Sequence, residues 1–265
     1  MARRFTMAIG FVLMVAAAAA APAAAQSCRP PRVAVDTILG MKYCSDPAFN
    51  AVIDTWVQKI RDDVRAARQA GRLVIYASTP ISPRGGGVEK VNVEIAASVK
   101  ARLEKTFGAG AWTIDPGVYQ MPNAGDKAPG GGEYMVMWTR VLAGDDGAGR
   151  DFDMVHFTGP NDMRAYFGCT DDLTGCLTRW LTERAARDAD VRKVADDPAA
   201  RRAFLRYYAM RASAAYSAGA HDEWNIFVRI NRKRTLGDQV AMFFDGRPAG
   251  PAEMEIEITP GYEVR

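Results

Sequence analysis

Apolar positions along this chain follow two rhythms. From Phe49, the residues Val52, Ile53, Trp56, Val57, Ile60 and Val64 recur every three or four positions, giving an apolar stripe on one helix. Asp46 is placed to cap its start, Pro47 suits the first helical position, and Gly71 ends it. Residues 73–77 form instead a short apolar run with β-branched members, the pattern of a buried strand. The alternation then repeats. A second helix is expected from about Asn92 to Phe107, with Val93, Ala96, Ala97, Val99 and Leu103 available to a core and Gly108 as its stop. A strand follows over 112–115, closed by Pro116 and Gly117. A Gly/Pro-rich loop runs to Gly132, residues 134–142 read as helix, and 152–157 read as another buried strand.

Strand and helix in repeated succession predict an α/β fold with a parallel sheet covered by helices. The rhythm breaks between about 162 and 216. That stretch is rich in Ala, Arg and Asp, offers Asp197-Pro198 as a helix start, and reads as a helical insertion. Its aromatics Phe204, Tyr207 and Tyr208 are expected in a core. A helix over 222–234 and a strand over 239–244 follow, and the alternating tail 253–258 reads as a half-exposed edge strand.

The first residues change the compartment. Arg3 and Arg4 precede an apolar run over 7–21, and Ala23, Ala24 and Ala25 supply small residues for cleavage, so residues 1–25 read as an export signal and 26–265 as one α/β domain. The run is short for a bilayer. Gln26 and Ser27 make a poor lipidation site ahead of Cys28, so no membrane attachment is expected after cleavage. The Arg3-Arg4-Phe5 start leaves the general secretory and twin-arginine routes both open.

Four cysteines fall into two local pairs, Cys28 with Cys44 and Cys169 with Cys176, and in an oxidising compartment two disulfides are the natural reading. Sequence proximity alone selects this pairing from the three available. A zinc site has poor ligand spacing and only two histidines to draw on. The formal net charge of +3 includes the signal arginines, and the basic residues are interleaved with acidic ones, which argues against a nucleic-acid polymer as partner.

Three places could carry chemistry. In the loop after the first strand, Arg84 precedes Gly85, Gly86 and Gly87, a cation beside backbone that can approach a ligand, at the strand end where parallel sheets bind ligands. A plain surface turn fits the same residues. The run Gly130-Gly131-Gly132-Glu133 opens a helix, and Glu133 is either a site carboxylate or a residue satisfying the helix dipole. Third, Ser217, Gly219, Asp222 and Glu223 lead into a helix whose positive start favours an ionised carboxylate, suiting a nucleophile or base. An ordinary capped helix is the competing reading. His221 lies too close in sequence to Ser217 and Asp222 for a hydrolase triad, and His156 reads as a core histidine.

Taken together, a strand Arg72-Leu73-Val74-Ile75-Tyr76, a Ser/Arg/Gly loop, and a later Ser217-x-Gly219-x-x-x-Glu223 turn ahead of a helix and strand resemble the nucleoside 2-deoxyribosyltransferase-like superfamily, which includes the deoxynucleoside 5'-monophosphate N-glycosidases. The resemblance covers roughly 72–157 and 216–246. It implies a Rossmann-like (flavodoxin-like) parallel sheet and cleavage or transfer at an N-glycosidic bond. By that resemblance Glu223 is the nucleophile, and Arg84, Gly85, Gly86, Asn92, Ser217 and Gly219 surround sugar or phosphate oxygens. The assisting acid is not reproduced in place: Met135 and Met137 stand nearer the expected positions, leaving Glu133 and Asp162 as candidates. The insertion and the export signal both depart from the compact family members.

No metal or organic cofactor is called for, and the expected partner is a small molecule in a cleft above the strand ends. Related enzymes often complete their sites between subunits, which leaves a homo-oligomer open. The rival expectations are a binding or structural protein that keeps the cleft without the chemistry, and an interaction module that docks a protein through an exposed apolar patch on the insertion.

Overall fold

The computed structural model describes residues 27–170 and 172–264; the expected export signal, 1–25, lies outside the described residues. The chain opens with a hairpin that the apolar pattern did not predict. Strands β1 (Val33–Asp36) and β2 (Lys42–Ser45) pair antiparallel, with Val33 opposite Ser45. A disulfide from Cys28 to Cys44 ties the lead segment to this hairpin. Asp46 then accepts the Ala48 N–H at 3.0 Å and starts a short turn, Pro47–Phe49, that continues as α1 (Asn50–Gln69). Of the predicted stripe, Ile53, Val57, Ile60 and Val64 are buried.

The remaining elements follow in order: β3 (Leu73–Ser78), α2 (Glu89–Phe107), β4 (Ala111–Ile114), α3 (Gly131–Ala143), β5 (Met154–Phe157), α4 (Pro160–Phe167), α5 (Leu173–Ala185), α6 (Ala189–Asp196), α7 (Pro198–Arg206), α8 (Ala218–Asn231), β6 (Ala241–Phe244), β7 (Arg247–Pro248) and α9 (Pro251–Met254). The main sheet has the order β4-β3-β5-β6-β7. Its first four strands are mutually parallel, and only the two-residue β7 runs against its neighbour. The chain steps outward from β3 to β4, then crosses back over β3 to β5. Connections leaving β3 and β5 therefore diverge at their carboxyl ends, where an open α/β sheet leaves a crevice.

Side-chain alternation along β3 divides two cores. Val74 and Tyr76 pack with α1, α3 and α8, whereas Ile75 and Ala77 pack with α2 and the helices α4–α7. The predicted insertion is thus no appendage. It forms most of the second helical layer, and the Cys169–Cys176 disulfide links the end of α4 to α5. Phe204, Tyr207 and Tyr208 are buried, with the Phe204 ring centroid 4.5 Å from that of Tyr208 and 6.0 Å from that of Trp180. These aromatics are core residues, so they supply no docking patch for a partner.

The tail departs from expectation. Residues 253–258 are not an edge strand: α9 ends at Met254, and the chain beyond runs along α8. The Asn225 side chain bonds both the carbonyl and the N–H of Ile258, at 3.0 and 2.8 Å, and the Trp224 indole donates to the Ile256 carbonyl at 3.0 Å. Side chains of α8 take the places that a neighbouring strand would have filled. The predicted helix over 222–234 likewise begins earlier, at Ala218, because Ser217 caps it through the Ala220 N–H.

Candidate active site

A cleft of about 500 Å³ opens above the carboxyl ends of β3 and β4. The loop after β3 contributes Ser82 and Arg84, α3 contributes Tyr134, Met135 and Trp138, and the start of α8 contributes Ser217, Gly219 and Glu223. Arg84 and Glu223, 139 positions apart in sequence, line one hollow.

Glu223 is its most constrained group. It lies in the first turns of α8 and is buried. Its Oε1 accepts from the Tyr76 hydroxyl at 2.7 Å and its Oε2 from Ser78 Oγ at 2.5 Å. Tyr76 and Ser78 stand two apart on β3, so the pleat turns both toward α8. Burial pushes the Glu223 carboxyl up to about 7; the two hydroxyl donors pull against that rise, and neighbouring Asp222 adds to it. At neutral pH the group therefore exists in both forms. It can attack as a carboxylate or hold a proton.

Asp222 faces elsewhere. Its Oδ1 accepts the Gly261 N–H at 2.8 Å and its Oδ2 the Tyr262 N–H at 2.6 Å, so it anchors the tail. Burial raises its carboxyl to about 6 against those donors. Tyr262 consequently enters the cleft lining from the last residues described.

Several expected site residues lie outside the cleft lining. Glu133 is fully buried, with Oε1 accepting from the Asp46 N–H at 2.8 Å and Arg32 Nε at 3.1 Å, while Oε2 accepts the Gly130 N–H at 2.8 Å. It fastens the hairpin to the start of α3, and both its oxygens are engaged. Of the glycines before it, Gly130 and Gly131 reach the cleft lining, while Gly131 and Gly132 are also close-packing positions. A Cβ on Gly132 would fall 2.0 Å from the Cys44 carbonyl oxygen, and one on Gly131 would fall 2.2 Å from the Tyr262 ring. Asp162 sits at the start of α4, where its carboxylate meets Arg102, His156 Nε2 at 2.9 Å and the Gly159 N–H at 2.8 Å. Burial works to raise its carboxyl, but these partners outweigh it and hold the group below the usual range.

Asn92 is buried and donates to the carbonyls of Ile81 and Ser82 at 3.0 and 3.2 Å, while its Oδ1 accepts from the Tyr208 hydroxyl at 2.8 Å. It shapes the β3 loop from beneath. Gly85 and Gly86 face the insertion: a Cβ on Gly86, where φ is +113°, would fall 2.5 Å from the Ala203 carbonyl oxygen, and one on Gly85 would touch Tyr207. The loop is therefore gripped by the second helical layer. His221 uses both ring nitrogens on the carbonyls of Thr259 and Ala215, each at 2.9 Å.

The loop patterns did not single out Glu89 at the start of α2 and Tyr262, which line the cleft, or Tyr76 and Ser78, which are buried behind Glu223. Period-two alternation along β3 could have flagged Tyr76 and Ser78, since a hydroxyl at each of two successive same-face positions in an apolar strand is a signal. Glu89 and Tyr262 carry no such local sign. Among the described residues no His/Cys/Asp/Glu group is arranged to hold a metal ion, and no helix is long and apolar enough to cross a membrane. Comparison with protein-family models, curated proteins and solved structures finds no match to this chain.

Proposed function

We propose that this protein is an exported enzyme that hydrolyses or transfers at the N-glycosidic bond of a nucleoside- or nucleotide-like small molecule, on a Rossmann-like sheet of the flavodoxin type. One observation carries the reading: a buried carboxylate, Glu223, oriented by Tyr76 and Ser78, lines the same cleft as the cationic Arg84. The strand order β4-β3-β5-β6 supports the fold assignment, and two disulfides support an oxidising location. The apolar flank of Met121, Met135 and Trp138 suits a planar base, and Ser82, Ser217 and Arg84 offer donors to sugar oxygens.

In this reading the Glu223 carboxylate attacks the anomeric carbon as the bond to the base nitrogen breaks, giving a glycosyl ester. Water or an acceptor then displaces Glu223. Tyr76 and Ser78 hold the carboxylate in place. The departing base needs a proton, and in this reading the second carboxylate of the cleft lining, Glu89, is the candidate for that role. A second reading, a binding protein without chemistry, is favoured by the engagement of Glu133 and Asp162 away from the cleft.

The test is incubation of the purified mature chain with a nucleoside and nucleotide panel, following free base by chromatography. Turnover is expected to rise with pH through about 7 as Glu223 ionises, and to fall again where the group that protonates the departing base loses its proton. Glu223→Gln should abolish it while leaving ligand binding measurable. Binding without turnover in the wild-type chain favours the second reading, and unchanged turnover in Glu223→Gln removes that residue from the mechanism.

A further inference from the structure

We propose that the exposed arginine face of α7, with the turn that continues it, is a docking surface for an anionic lipid membrane. The inference stands apart from the reading of the cleft, because it concerns the outer side of the second helical layer.

The sequence concentrates the charge here. Residues 198–221 hold four arginines and no acidic residue. The helix does not stop at Arg206. It continues through one π turn, Tyr207–Arg211, in which the Ala212 N–H donates to the Tyr207 carbonyl five positions back, at 2.8 Å. Phe204, Tyr207, Tyr208 and Ala212 fill the inward side and are buried. Arg202 and Arg206, four positions apart, therefore stack on the outward side, and the wider turn brings both Met210 and Arg211 into line after them. All four are exposed, Met210 by 65%.

Nothing within the protein answers these charges. Among the described residues, Arg202, Arg206 and Arg211 enter no ion pair and no side-chain hydrogen bond. Other arginines of the same layer are held: Arg184 pairs with Glu94 and Asp188, and Arg192 donates to the Ala185 and Ala186 carbonyls. The apolar part of the face selects lipid over an acidic protein. Met210 stands among the arginines, and the segment runs on to Tyr216, 66% exposed. Lipid phosphates answer guanidinium groups, and the layer beneath them accepts a thioether and a phenol ring. A surface of carboxylates gives Met210 no partner. The position has a consequence for the cleft. A Cβ on Gly86 would fall 2.5 Å from the Ala203 carbonyl oxygen, and Ser217, the residue after Tyr216, lines the cleft. The face thus borders the cleft mouth, and a docked chain takes its ligand beside the membrane surface.

Sedimentation of the full mature chain with vesicles tests the proposal. Binding is expected to vesicles of phosphatidylcholine mixed with phosphatidylglycerol, is expected to be absent with phosphatidylcholine alone, and should fall as salt screens the charges. Arg202→Gln, Arg206→Gln and Arg211→Gln should each lower the partition coefficient about fivefold, the share of one cation near an anionic surface. Their melting curves should match the wild type, since all three side chains are exposed and unpartnered. Met210→Ser should weaken binding at unchanged charge. Arg72→Gln removes an equal charge just ahead of β3, at the opposite end of that strand from the loop that meets α7, and should leave binding unchanged. Failure to sediment with the mixed vesicles, equal sedimentation with the neutral ones, or a loss in Arg72→Gln as large as in Arg206→Gln overturns the proposal. So does binding of soluble polyglutamate in place of vesicles, which would assign the face to an acidic protein. Turnover in the cleft is measured without vesicles, so neither result decides the other.

Discussion

Replacing Glu223 by glutamine should stabilise the protein above neutral pH and leave it unchanged in acid. In the folded chain the carboxyl is raised from 4.5 to about 7, chiefly by burial. A carboxyl raised on folding binds its proton more tightly in the native state. Below about pH 4.5 it is neutral in both states and costs nothing; between 4.5 and 7 the unfolded chain ionises first and stability falls. Above 7 the full penalty is in place, about 3 kcal/mol. Glutamine carries no charge, yet it can accept from one of the Tyr76 and Ser78 hydroxyls and donate to the other. Urea denaturation of wild-type and Glu223→Gln chains across pH 4–9 reads the difference, which contains the Glu223 titration and its smaller coupling to neighbouring Asp222. The variant is expected to match the wild type near pH 4 and to exceed it by about 2–3 kcal/mol near pH 8. A difference that stays flat across that range would refute the claim that a buried, proton-sharing carboxylate occupies this position. The penalty has a functional logic: a stored, poorly solvated negative charge is what a nucleophile or ion-pairing group in a cleft requires.

Two further outcomes test the frame around the site. Gly132→Ala should destabilise the chain by about 1–3 kcal/mol in thermal or chemical denaturation, because the new methyl meets the Cys44 carbonyl, backbone that cannot swing aside. A wild-type melting curve for that variant would mean the hairpin does not seat on α3 as described. Mass spectrometry of the unreduced chain after alkylation should find no free thiol, and reduction of the Cys28–Cys44 link, spanning 16 positions, should cost about 3 kcal/mol. Four alkylated cysteines in the unreduced chain would contradict both bridges.

The sequence by itself determined what short-range chemistry decides. Apolar spacing of three to four residues placed α1, and a β-branched run placed β3, because each pattern repeats within a few residues. Asp46 and Pro47 marked a helix start, and the two local cysteine pairs marked the bridges. Ser217, Gly219 and Glu223 were legible as a capped turn holding a carboxylate. Where the reading strayed, long-range contact was responsible. Glu133 looks locally like a site carboxylate, but it serves Arg32, 101 positions earlier, and Asp46, 87 positions earlier. Asp162 looks free at a strand end, but it answers Arg102 and His156 across the second helical layer. Residues 253–258 alternate like a strand, yet a strand needs a neighbour with open backbone groups, and α8 offered Asn225 and Trp224 instead. Only tertiary structure could set Tyr262 on Gly131 and bring Glu223 to the hollow that Arg84 overlooks. Periodicity states which face of an element is apolar; it says nothing of which distant segment will cover that face.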